Sequence, residues 1–161
     1  MKSGSEPELA SLQIAVERLH AQYVHALDAD NLEDWPSFFT ENGRYRIATA
    51  ENEERGLPLP VLSAEGRGMM RDRIQSLRHA NIYEPQRYRH LVSAVVVEKT
   101  SQREAKSTAN FLVIRVMQDG DTIIFASGRY VDRIALPEMK YHERVVICDS
   151  RRFDTLLAIP L

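Results

Sequence analysis

Five histidines and a single cysteine are the side chains here best suited to hold a metal or move a proton, and their spacing limits both uses. His20 and His25 lie five apart in a helical stretch, about 140° around the axis, so they cannot close on one ion from one face. His79 falls among charges at a helix end, where it can face the terminal carbonyls. His142 alternates away from Tyr141 and Glu143. No HxxxH or HxxE clamp occurs, which argues against a metal held by this chain. Cys148 sits in a β run and reads as a small core residue. Being alone, it excludes an intrachain disulfide and any four-cysteine zinc or iron–sulfur site.

Proton chemistry has more to work with. Arg87-Tyr88-Arg89-His90 packs three cationic or near-cationic side chains into four residues. With Tyr23, Asp28 and Tyr45, His90 could act as an acid/base group around an apolar substrate, as in a stand-alone isomerase, dehydratase or cyclase. The plainer reading has His90 and the arginines satisfying carboxylates or carbonyls at a strand start or a subunit boundary. It is preferred, because nothing in the sequence sets a second catalytic group beside His90. A binding module without turnover is a third reading. Nucleophilic catalysis lacks support: Ser127-Gly128 falls inside a strand and not at a strand-to-helix elbow. Gly66-Arg67-Gly68 lacks the further glycine and the preceding strand of a dinucleotide loop.

The elements that must carry these residues follow from hydrophobic period. Residues 1–7 form a loose polar start, with Ser5 and Glu8 spaced as a capping box and Pro7 in the first turn. Leu9, Leu12, Val16, Leu19, Tyr23 and Leu27 then make one apolar stripe on a helix of about five turns. Asp30 and Glu33 are placed to cap a second, short helix bearing Leu32, Trp35, Phe38 and Phe39, which Pro36 shortens or distorts. Gly43 to Ile47 alternates as a strand. Glu51 to Pro60, with its charges, glycine and prolines, reads as a long surface loop. Ser63 is the expected cap of a third helix with Met70, Ile74 and Leu77 inward, and 81–85 is a connector.

From Arg89 the period changes to two. Strands are expected over His90–Val97, Lys106–Met117, Thr122–Leu136 and Lys140–Asp149, with a tight turn at Asp119-Gly120. Helices followed by a meander of long strands make an α+β domain over 1–161. N-terminal helices pack on a curved, mostly antiparallel sheet and leave a cone-shaped pocket.

At 161 residues and 43% hydrophobic the chain suits one globular domain. A net charge of −2 leaves no basic footprint for nucleic acid. No run reaches the roughly 18–20 apolar residues of a membrane span, and the first residues lack the apolar core of a leader. With the lone cysteine, this places the expected location in the cytoplasm. Arg129, Arg133, Arg144, Asp132, Glu143 and Asp149 read as one charged sheet face pairing across subunits. Leu156, Leu157, Ile159 and Leu161 are too apolar for a free tail, so 153–161 is expected to dock on its own domain or a neighbour.

Ordered strings along the chain carry a resemblance. They are Trp35-Pro36-Ser37-Phe38-Phe39, Tyr45-Arg46-Ile47, Met70-Arg71-Asp72-Arg73, and Asn81-Ile82-Tyr83-Glu84-Pro85 with Arg87-Tyr88-Arg89-His90. Further on come Ala126-Ser127-Gly128-Arg129-Tyr130-Val131-Asp132, Glu143-Arg144, Cys148-Asp149-Ser150, and Asp154 through Leu161. From about residue 10 onward the chain resembles the small (beta) subunits of aromatic-ring-hydroxylating dioxygenases, the Rieske non-haem iron oxygenases. The closest likeness is to the branch acting on aromatic acids such as terephthalate, anthranilate, salicylate or halobenzoate.

The resemblance implies a cystatin-like, nuclear transport factor 2-like cone and a trimer of small subunits supporting three large subunits. It puts the Rieske 2Fe–2S cluster and the mononuclear Fe(II) in the large subunit, with electrons from NADH delivered by a separate reductase. It implies no catalytic residue, cofactor or metal in this chain. On that reading Arg89, His90, Arg129, Asp132, Arg144, Asp149, Leu156 and Leu161 serve contacts between subunits, and Trp35, Phe38 and Phe39 fill the core.

Overall fold

The computed structural model describes residues 5–57, 59–79, 84–152 and 159–161. Helix α1 spans Glu6–Asp28 and buries Val16, Leu19, His20, Tyr23, Val24 and Leu27 along one stripe, as the three–four spacing requires. Its start is not a capping box. The Ser5 side chain makes no cap bond, and the Ser5 carbonyl instead accepts from the Glu8 and Leu9 amides at 2.9 and 3.0 Å. Pro7 and the acidic first turn suffice to begin it.

A 3-10 helix follows at Leu32–Phe38, with Pro36 inside it. Neither Asp30 nor Glu33 caps it. Asp30 takes a left-handed φ of 61°, and both carboxylates are held by Arg78 of a later helix at 2.8 and 2.9 Å. Strand β1, Phe39–Thr49, is longer than the alternation at its centre suggests.

The expected surface loop is in part ordered. Thr49 Oγ1 accepts from the Asn52 amide and opens a short helix α2, Ala50–Glu54. Ser63 caps nothing. It lies in strand β2, Leu62–Glu65, which pairs antiparallel with β1. Helix α3, Gly66–His79, begins at Gly66, whose φ of 79° suits glycine at the strand-to-helix turn.

Four long strands complete the sheet: β3 Gln86–Lys99, β4 Glu104–Met117, β5 Thr122–Ala135 and β6 Lys140–Cys148. The order is β2-β1-β6-β5-β4-β3. Only β1 and β6 run parallel among these neighbours; the rest are antiparallel. Asp119-Gly120 makes the β4–β5 turn, with Gly120 at φ 91°. Irregularities at Ser93/Val96, Val113/Ile114 and Arg133/Ile134 bend the ladder, and bulges of this kind increase twist. The curved sheet wraps α1.

Seven aromatic rings pack between helices and sheet: Tyr23, Trp35, Phe39, Tyr45, Phe111, Tyr130 and Tyr141. Trp35 meets Tyr45 edge-on at 5.0 Å and Tyr23 meets Tyr141 edge-on at 5.5 Å. Such pairs add about 0.5–1.5 kcal/mol each beyond burial. The edge strand β3 is tied to α1, since Gln13 Nε2 donates to the Val95 carbonyl at 2.7 Å beside a residue of positive φ, Ala94.

Candidate functional site

Three polar groupings lie inside the cone, and strand alternation positions them. On β5 the inward residues Tyr130 and Ile134 bracket Asp132; on β6 Arg144 precedes the inward Val146 and Cys148. Asp132 and Arg144 face each other across the ladder. Arg144 donates through Nε and Nη2 to the two Asp132 oxygens at 2.8 and 2.9 Å, a bidentate pair with both side chains wholly buried. The guanidinium lies 4.3, 3.9 and 4.1 Å from the Tyr23, Tyr130 and Tyr141 ring centroids. Burial opposes the Arg144 charge, but the adjoining Asp132 carboxylate and Tyr141 outweigh it and push its pKa well up.

His20 completes this group from α1. Arg144 Nη2 lies 2.9 Å from His20 Nδ1 and the Tyr141 hydroxyl 2.7 Å from it. Its Nε2 is 3.1 Å from Ser107 Oγ on β4. Burial, then the Arg144 charge, lower the His20 pKa to about 2, so the imidazole is neutral. A guanidinium can only donate, so Nδ1 is the acceptor and the ring proton sits on Nε2, facing Ser107.

The second grouping joins helix, strand and the end of the sequence. Trp35 Nε1 donates to the Tyr23 hydroxyl at 3.2 Å. The Tyr23 and Tyr45 hydroxyls both donate to the Leu161 backbone oxygen, at 2.9 and 3.2 Å. Burial raises both phenols, so they remain donors.

The third is at the cone mouth, where the C-terminal end of α1 meets the start of β3. Asp28 accepts from the His90 amide at 3.2 and 3.0 Å and lies 2.6 Å from His90 Nδ1. The His90 side chain is fully buried, and its Nε2 has no hydrogen-bond partner among the described residues. A cleft of about 590 Å³ near this pair is lined by Leu27, Asp28, Tyr88 and Ile159 among others, and not by His90.

The four acid/base candidates therefore separate into two pairs. Tyr23 joins Tyr45, and Asp28 joins His90, with no hydrogen bond or ring contact linking the pairs among the described residues. Three expected intersubunit residues are corrected. Asp132 and Arg144 pair with each other in the interior and cannot reach a neighbour. Leu161 enters its own cone, being fully buried there. His90, the fifth residue of β3, is tied by Asp28 to its own helix. The single charged face is not formed either. Arg129 and Asp149 are exposed with Arg89, while Arg133 bonds Glu104 at 2.7 Å and Glu143 bonds Arg44 at 2.8 Å. Leu156 lies outside the described residues.

Sequence reasoning missed His20, Ser107, Tyr130 and Tyr141 as members of the interior network. The available signal was a polar residue in the inward phase of an apolar strand, as Ser107 stands between Ala105 and Ala109. No three His, Cys, Asp or Glu side chains stand together to grip an ion among the described residues. The Cys148 thiol is pushed up to about 12 by burial, which suits an inert core residue.

A twisted sheet folded round a long helix, with a polar interior, defines a SnoaL-like domain, and that family's model matches residues 10–138. The chain is 37% identical over 151 residues to the subunit beta 1 of the terminal oxygenase component of terephthalate 1,2-dioxygenase from Comamonas sp. That alignment covers 92% of this chain and 98% of the relative. It is 37% identical over 145 residues to the anthranilate 1,2-dioxygenase small subunit of Burkholderia cepacia, covering 89% and 90%. A crystal structure from Novosphingobium aromaticivorans, assigned as the beta subunit of an aromatic-ring-hydroxylating dioxygenase, superposes with a TM-score of 0.86 at 34% identity. It covers 94% of this chain and 98% of that one. The chain belongs to the small, beta, subunits of aromatic-ring-hydroxylating dioxygenases.

Proposed function

We propose that this chain is the structural, non-catalytic small subunit of the terminal oxygenase of an aromatic-acid dioxygenase. It assembles as a trimer with a large subunit that carries the Rieske 2Fe–2S cluster and the mononuclear iron. The complex, in the cytoplasm, hydroxylates an aromatic ring with electrons that start from NADH. The described residues of this chain do not fit either metal group, since they offer one buried cysteine and no ligand cluster. The observation that carries the reading is the closed interior. The bidentate Asp132–Arg144 pair, His20 and the Leu161 backbone take up much of it, and the Tyr23 and Tyr45 hydroxyls are spent on Leu161.

Self-association is assigned to the outward face of β3–β5. Leu91, Val96, Ile124 and Val131 are 48%, 67%, 68% and 37% exposed there. Arg89, Arg129 and Asp149 supply both charge signs around them, as a self-complementary contact needs. Co-expression with the large subunit tests the whole reading. A coloured, iron-containing hexamer with ring-hydroxylating activity is expected, and a small subunit that stays separate from the large one would overturn it.

One observation favours a second reading, a small enzyme on the same cone. Asp28 orients His90, whose Nε2 has no partner among the described residues, which is the arrangement of a carboxylate-steered base. Turnover by the isolated chain, lost in His90→Ala, would establish it.

A further inference from the structure

Part of the interior is occupied by the chain's own Ile159 and Leu161. Leu161 is fully buried and Ile159 is 6% exposed, both within the main apolar cluster. The Leu161 oxygen receives two hydroxyl donors, Tyr23 at 2.9 Å and Tyr45 at 3.2 Å. Its amide donates back to the Tyr45 oxygen at 2.9 Å. The donors come from different elements, α1 and β1, and Trp35 holds the Tyr23 hydroxyl at 3.2 Å. Two preset donors converging on one oxygen, with aromatic walls around them, are what a small-molecule pocket presents to a ligand carbonyl.

We propose that Tyr23 and Tyr45 form a carbonyl-binding cradle that Leu161 fills in cis, and that the cradle accepts in trans an amide or ketone oxygen carried on a branched aliphatic group. The neighbouring Arg144 is held by Asp132 and His20 through its Nε and Nη2. Tethering gives the chain's own segment an effective concentration on the order of millimolar, so it holds the cradle against weak competitors. An occupant from outside must displace it.

The test is a chain lacking Ile159–Leu161, titrated with N-acetyl-Ile-Pro-Leu as the free acid and as the amide. Trp35, the sole tryptophan, reports binding by fluorescence, and the melting temperature reports it independently. Saturable binding is expected in the shortened chain, at least tenfold weaker in the full chain, and at least tenfold weaker again when Tyr23→Phe and Tyr45→Phe are added to the shortened one. A shortened chain that folds by circular dichroism and binds neither peptide at millimolar concentration would overturn the proposal. If it does not fold alone, refolding with peptide must restore the native spectrum, and no rescue would overturn the proposal equally.

Discussion

Asp132→Ala removes one half of an ion pair from a site with no exposed surface, leaving the Arg144 guanidinium among three rings and a neutral imidazole. Losing one partner of a buried pair typically costs about 3–5 kcal/mol, because the remaining charge has neither water nor counterion. For a domain of this size that lowers the melting temperature by roughly 6–20 °C. Replacing both partners with apolar residues, Asp132→Leu with Arg144→Met, removes the stranded charge. The double variant is therefore expected to be more stable than either single one, with a coupling of about 2 kcal/mol or more. Denaturant titration of Asp132→Ala and of the four proteins of the Asp132→Leu, Arg144→Met cycle measures it. A loss below about 1 kcal/mol in Asp132→Ala, or a double variant as unstable as the two single losses added, would refute the reasoning.

His20 supplies a pH signature. Its pKa falls from 6.5 unfolded to about 2 folded, so below pH 6.5 the unfolded chain binds a proton the folded one refuses. Stability from this group is complete above pH 6.5 and declines by about 1.4 kcal/mol per pH unit as pH falls towards 2. His20→Gln, which keeps one donor and one acceptor, is expected to flatten that slope by one proton in urea titrations between pH 6 and 4. A Cβ on Gly128 would overlap the Ile147 carbonyl of β6. Gly128→Ala is expected to cost about 2 kcal/mol or more, while Gly68→Ala in α3, with nothing near, should gain about 0.5–1 kcal/mol in the same melts. Arg129→Glu, on the exposed face of β5, should shift the chain towards smaller species in light scattering without changing its melting curve.

Much of this architecture is legible in the sequence because its periods are long and clean. The α1 stripe from Leu9 to Leu27 repeats over about five turns, and β4 alternates almost without interruption. The missed elements are short: α2 has five residues and β2 four, too few to show a period against nearby glycine and prolines.

The misplaced site residues have a different cause. Counting by twos from the buried Tyr141 puts Glu143 inside and Arg144 outside, but the ladder shifts register between Arg133 and Ile134 and reverses the phase. The bulge turns the charged Arg144 inward. The apolar end of the sequence announced that it would dock, yet composition cannot say whose interior receives it. Leu161 fills its own. The Asp28–His90 contact joins residues 62 apart and rests wholly on α1 reaching the mouth of the sheet.

The most direct measurement is steady-state ring hydroxylation by the oxygenase reconstituted from this chain, its large subunit and reductase, with wild-type and His90→Ala small subunits, beside the small subunit alone. A structural subunit should show no turnover alone, and His90→Ala should keep kcat within about twofold once assembly is confirmed. Turnover by the isolated chain, or an assembled His90→Ala complex slowed a hundredfold with its iron intact, would contradict it.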